Sequence, residues 1–163
     1  MRRVLAIAAL VLLIAAMVTP TASAARGGID RPVKGTFSGL VTFEYDWDDA
    51  TCPVTTLTDT WGALSHLGWV TAHWSHCPPV AVPGYRNGHV EFTAANGDRL
   101  FGSYEDADED SPFTIDIAGG TGRFAHAFGT FAWTFVASGE WGEDGLPIQP
   151  WTMQATLRGT LTY

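Results

Sequence analysis

Positive charge is scarce in this sequence. Nine Lys and Arg stand against 17 Asp and Glu. Two of the nine are Arg2 and Arg3; without that pair seven remain, and the net charge is about −10. Nucleic-acid phosphates need a basic footprint that such a chain lacks. Anionic membrane surfaces repel it. Neither is expected as a partner. Cysteine is nearly absent too, with Cys52 and Cys77 the whole supply, and two thiolates alone do not complete a zinc site. After residue 18 there is no apolar run long enough to span a membrane. Helix formers are sparse, and no convincing helical period survives a pass along the chain.

One long apolar run is present, and it stands first. Arg2 and Arg3 precede "VLAIAALVLLIAAMV", residues 4–18, and Ala22-Ser23-Ala24 follows as a small-x-small site. This is the pattern of a secretory signal peptide cleaved after Ala24. The alternative, an uncleaved anchor, fits the small-residue region poorly. The expected organisation is a signal peptide over 1–24 and one secreted domain over 25–163, with no membrane contact after cleavage. In an exported chain two thiols pair, so a Cys52–Cys77 disulfide is expected.

The remainder is rich in Gly, Thr, Trp and Phe, and it alternates. In "KGTFSGLVTFEYD", Phe37, Val41, Phe43 and Tyr45 share one side; Thr36, Ser38, Thr42 and Glu44 share the other. In "WTMQATLRGTLTY", Trp151, Met153, Ala155, Leu157, Leu161 and Tyr163 share a face. Period two over that length is a half-buried strand. Eight strands are expected, near 34–46, 56–66, 68–76, 88–95, 98–105, 113–118, 127–137 and 151–163. An all-β chain of eight strands in meander order closes into a single antiparallel barrel with no free edges. A two-sheet sandwich is the runner-up. The terminal strands, the most regular in the chain, are expected to pair and close it. "VASGEWGEDG" is read as a long polar loop.

Asn96-Gly97 is the strongest local signal. A two-residue type I′ turn there sets a register in which Phe92 faces Phe101 on one side and His89 faces Tyr104 on the other. His89, Glu91 and Tyr104 then share a face. They form the one acid–base set the sequence offers, provided that face lines a cavity; otherwise it points to water.

The stretch "IAGGTGRFAHAFGTF", residues 117–131, resembles a phosphate loop at first sight. A dinucleotide fingerprint needs a third glycine where Ala125 stands, and a helix after it. No Gly-Lys-Ser/Thr follows for a Walker loop. Gly119, Gly120 and Gly122 are instead read as a structural turn that uses positive φ and close backbone approach at a barrel rim. No cofactor motif is found.

These residues carry a resemblance. Gly119, Gly120, Thr121, Gly122, Arg123, Phe124, Ala127 and Gly129 match the Gly-Gly-Thr-Gly-basic-Phe-x-x-Ala-x-Gly motif of plant dirigent proteins, whose eight-stranded barrel is shared with allene oxide cyclases. "SHLGWVT" and "FTAANGDRLFGSY" are similar to segments of small secreted bacterial proteins that carry the same motif. The resemblance implies the barrel and, by association through outer walls, a homo-oligomer. It departs at Phe128, where dirigent proteins carry Arg, and the motif is silent on substrate.

Other constellations are weaker. Asp106, Asp108 and Asp110 start like a calcium loop, but Ser111 and Ile117 stand where its glycine and last carboxylate belong; a solvated loop is the ordinary reading. Asp46, Asp48 and Asp49 surround Trp47, and Trp141 lies in a second acidic stretch; acidic loops with Trp suit a sugar. His73 and His76 have opposite strand parity, so no metal site is expected from them. Seven Trp and nine Phe are enough to fill a small barrel, leaving little room inside. The expected function is therefore a secreted, non-catalytic binding or interaction barrel for an unidentified small hydrophobic molecule or glycan. The alternative is an isomerase-like, cyclase-like or dirigent-like catalyst with a pocket at the barrel mouth, and a carbohydrate-binding module is the third option.

Overall fold

A computed structural model describes residues 28–78, 84–106 and 112–163. The expected signal peptide and the carboxylates Asp108 and Asp110 lie outside the described residues. Eight strands follow one another: β1 (Asp30–Tyr45), β2 (Val54–Leu64), β3 (Gly68–Cys77), β4 (Tyr85–Ala94), β5 (Arg99–Asp106), β6 (Phe113–Gly120), β7 (Phe128–Trp141) and β8 (Pro147–Thr162). Each pairs antiparallel with the next, and β8 returns to β1, closing the barrel. The sandwich is thereby set aside. The closing seam runs from Asp30 opposite Thr162 to Val41 opposite Trp151. Past that point the Gln149 side chain takes over from the backbone ladder. Its amide accepts from the Phe43 N–H (2.7 Å) and donates to the Phe43 carbonyl (2.9 Å).

Alternation fixes which side chains enter. Phe37 and Val41 from β1, and Met153, Ala155, Leu157 and Leu161 from β8, are buried inside. A layer of rings crosses the barrel at mid-height. Trp74 packs on Trp133 (4.3 Å between centroids) and Phe92 (5.4 Å), and Phe37 packs on Trp133 (5.4 Å). Below that layer the interior is filled. Burying each such large apolar side chain contributes roughly 1.5–3 kcal/mol.

The glycine stretch belongs to the filled end. It forms a 3-10 turn, Gly122–Phe124, between β6 and β7. Gly119 (φ +115°) and Gly122 (φ +55°) are left-handed. A Cβ on Gly120 would overlap the Arg99 carbonyl, and one on Gly122 would overlap the Asp98 carboxylate. The loop therefore lies directly on the β4–β5 hairpin. Arg99 N–H donates to Thr121 Oγ1 (2.9 Å), and Thr121 N–H donates back to the Arg99 carbonyl (2.8 Å). Phe124 becomes fully buried, edge-on to Tyr163 at 5.0 Å. Its glycines fold a bottom plug into the barrel.

Two expectations need correction. The hairpin at Asn96-Gly97 is not a type I′ turn. Ala94 N–H donates to the Asp98 carbonyl and the Ala94 carbonyl accepts from Gly97 N–H, a three-residue loop with Gly97 alone left-handed at φ +84°. The extra residue shifts pairing by one, so Phe92 faces Leu100, Glu91 faces Phe101 and Gly88 faces Tyr104. A one-residue slip turns every β5 side chain to the opposite wall. The second correction concerns "VASGEWGEDG". Strand β7 runs on to Trp141, with Ser138 opposite Thr152. Gly139 sits in that strand, where a Cβ would overlap the Trp151 ring.

Candidate functional site, a cavity at the open end of the barrel

Above the mid-barrel rings the walls stand apart. They enclose a cavity of about 380 Å³, within the size range of small-molecule sites. The expectation of little internal room fails here because the large rings line the wall rather than meeting in the middle. Trp74 and Trp133 form the floor. Phe43, Tyr104, Phe113, Phe135 and Trp151 form the sides, and Trp141, 63% exposed, forms the lip. The lip is ordered by edge-to-face contacts: Trp141 on Trp151 at 5.1 Å, and Phe43 on Trp151 at 5.4 Å. Small residues, Thr56, Thr58 and Ala137, leave the space between.

The lining is apolar except for a polar corner on β2, β3 and β5. Strand β2 turns its threonines inward: Thr56, Thr58 and Thr60 are all buried, while Trp61 faces out. Thr60 is satisfied, accepting from the Trp74 indole N–H (3.0 Å) and donating to the Ala72 carbonyl (3.3 Å). Thr56 is not. Its hydroxyl is buried in the cavity wall with no hydrogen-bond partner among the described residues. Directly across the ladder from it stands His76. The His76 Nδ1 lies 2.8 Å from the Tyr104 hydroxyl, and its ring packs edge-on to Tyr85 at 4.7 Å. Gly88 makes that meeting possible. A Cβ on Gly88 would strike the Tyr104 ring, so its bare backbone lets the phenol reach across β4 to β3.

Burial sets the protonation of this corner. Desolvation pushes His76 down to about 4, so its imidazole is neutral near pH 7. Desolvation first, and the neighbouring Tyr85 second, push the Tyr104 phenol up. A neutral His–Tyr pair therefore faces an aromatic chamber, with the Thr56 hydroxyl buried in the wall beside it. Such a corner can accept or donate hydrogen bonds to one polar group of an otherwise apolar guest.

The residues expected to form an acid–base set do not come together. Tyr104 points inward and is buried, whereas His89 is exposed on the outer wall. Glu91 is on the outer wall too, bonded to Arg99 at 3.3 Å. The register slip at Gly97 separates them. Tyr104 has a histidine partner after all, but it is His76. Its inward parity was legible, whereas its proximity to Tyr104 depends on Gly88 and on the irregular pairing of β4 with β5 between Tyr85 and Gly88. Thr56 went unnoticed because an inward threonine reads as an outward one in a strand with Leu57 and Trp61 on its other side.

The remaining candidates sort plainly. Cys52 and Cys77 are bonded, with Cα atoms 5.5 Å apart, tying the β1–β2 loop to the end of β3 beside the mouth. Asp49 serves that loop rather than a metal. Its Oδ1 accepts from the Thr51 hydroxyl (2.6 Å), Thr51 N–H (2.8 Å) and Cys52 N–H (3.2 Å), and the Thr51 hydroxyl above all holds its pKa below the usual range. Trp47 is exposed and stacked on Tyr45 at 5.5 Å. No cluster of metal-ligating side chains is found among the described residues, nor any helix long and apolar enough to cross a membrane.

Comparison with known proteins agrees on architecture. No family model and no curated protein matches the chain. Among solved structures it is similar to the pterocarpan synthase dirigent protein GePTS1, at 13% identity and a TM-score of 0.51, over 82% of this chain and 86% of that one. At that identity the likeness is one of fold: an eight-stranded antiparallel barrel of the dirigent type.

Proposed function

We propose that this chain is an exported binding barrel that takes one small, ring-bearing, largely apolar molecule into its open end. The observation that carries the reading is the cavity of about 380 Å³, aromatic on nearly every side, with one polar corner holding an unpartnered Thr56 hydroxyl. Ligand sites combine apolar walls with a few placed polar groups in this way. Export is supported by the apolar leader with its small-residue site and by the disulfide. The test is mass spectrometry of small molecules released on denaturing natively purified protein. A plugged variant, Ala137→Trp, serves as control, since Ala137 lines the cavity. A molecule carried by wild type and absent from the folded plugged variant supports the reading. Identical extracts from both oppose it.

A second reading rests on His76 and Tyr104. A neutral imidazole 2.8 Å from a phenol hydroxyl can hold that phenol in place to donate to a guest oxygen, although burial leaves the imidazole itself a weak base. The structural neighbour is described as a pterocarpan synthase, which makes a dirigent-like or isomerase-like catalyst the natural rival. Catalysis requires turnover of a bound candidate that His76→Gln abolishes; a binding protein returns its guest unchanged. The glycan option rests on Trp47 and Trp141. Trp141 belongs to the lip of the apolar cavity, which favours a hydrophobic guest over a sugar.

A further inference from the structure

Charge is distributed unequally along the barrel axis. At the open end the β1–β2 loop carries Asp46, Asp48 and Asp49, and Glu105 is near the end of β5. The end of β7 adds Glu140, and the β7–β8 turn adds Glu143 and Asp144. Among the described residues Arg86 is the one basic side chain near that end. The others, Arg31, Lys34, Arg99, Arg123 and Arg158, lie toward the plugged end. Carboxylates bordering the entrance mainly on the β7, β8, β1 and β2 side, beside a low-dielectric chamber, focus a negative potential and raise the local concentration of cations.

Among the described residues no Asp, Glu, Lys or Arg lines the cavity, and four of its rings are Trp. The negative face of an indole is the best uncharged partner for a desolvated organic cation. Trp141 and Trp151, edge-to-face at 5.1 Å, stand where the acidic entrance meets this chamber. Thr56, 5% exposed, adds a hydroxyl buried in the wall behind that lining, with no partner among the described residues. A guest that satisfies both ends has a hydroxyl or carbonyl for the Thr56–His76–Tyr104 corner and a positive head for the Trp lip.

We infer that the cavity selects amphiphilic organic cations, molecules with an aromatic or aliphatic body, one hydrogen-bonding group and an ammonium head. This rests on the cavity being a ligand site, as proposed above. Neutral molecules of the same shape bind more weakly, and anions are repelled by the carboxylates at the entrance.

The experiment uses three phenols of matched shape, titrated calorimetrically into the full mature protein at neutral pH. They are (4-hydroxyphenyl)trimethylammonium, the neutral isostere 4-tert-butylphenol, and 4-hydroxybenzenesulfonate. At low salt the ammonium is expected to bind about tenfold tighter than the neutral isostere, with no binding by the sulfonate. High salt should narrow that gap, because the carboxylates at the entrance are solvent-exposed and screened. Trp141→Leu should bring the ammonium close to the affinity of 4-tert-butylphenol while leaving the latter's binding measurable. Equal or tighter binding of 4-tert-butylphenol, or of the sulfonate, overturns the cation inference and leaves the ligand cavity standing. If none of the three binds, both fall together.

Discussion

Three residues show how single positions set the behaviour of this barrel. Thr56 buries a hydroxyl with no partner, a penalty a folded protein keeps only where something else uses the group. Thr56→Val is expected to raise stability by about 1 kcal/mol while weakening any guest that bonds to the corner; chemical denaturation reads the first effect, and a loss of stability would mean the hydroxyl is already satisfied. His76 is a pH sensor by burial. Its folded pKa, about 4, lies below the ordinary value of 6.5, so between those values the unfolded chain binds more protons. Stability contributed by neutral His76 is complete above about pH 6.5 and is lost as pH falls toward 4, by on the order of 3 kcal/mol. Denaturation curves across that window should show wild type losing more than His76→Gln; parallel profiles would contradict the buried neutral imidazole. Gly122 holds a left-handed φ against the Asp98 carboxylate. Gly122→Val should lower the melting temperature measurably, a strain of roughly 1 kcal/mol or more. Gly145, also left-handed but with open space around it, should pay only the backbone part with Ala.

Strands β1 and β8 carry the closure. They share a twelve-residue register from Asp30–Thr162 to Val41–Trp151, and β8 also pairs along β7. Truncation after Pro150 removes Met153, Ala155, Leu157 and Leu161 from the core and leaves two open edges. The fragment is expected to be insoluble or unfolded; a soluble fragment with a cooperative melt would show that β8 is peripheral. These strands were legible because their period-two pattern runs over most of their length, with the large apolar residues other than Leu40 and Ile148 on one side. Strand β5 was not, although its turn was the clearest signal in the chain. Asn96-Gly97 marks a hairpin without saying whether two or three residues close it, and that one residue decides which wall Tyr104 occupies. Strand β2 misleads for the opposite reason, since Leu57 and Trp61 lie on its outer side and its threonines face the core.

At the scale of the whole molecule, the barrel has a filled end and an open one. The glycine motif plugs the first with Phe124; its spacing marked a turn that uses positive φ and close backbone approach, but not the plug. The cavity at the second does not follow from composition. Rings enough to fill a barrel are present, but their placement around the wall depends on register, on Gly88 and on small residues on β2 and β7. His76 and Tyr104 come from strands that are not neighbours, so no local pattern announces them. The central claim is that this open end receives a guest. Chemical-shift mapping with a soluble phenol such as 4-tert-butylphenol tests it most directly. The account predicts saturable shifts concentrated at His76, Tyr104, Trp141 and Trp151, with the signals of Phe124 and Arg123 at the plugged end unmoved. Shifts scattered over the outer wall, or centred on the plug, would contradict it.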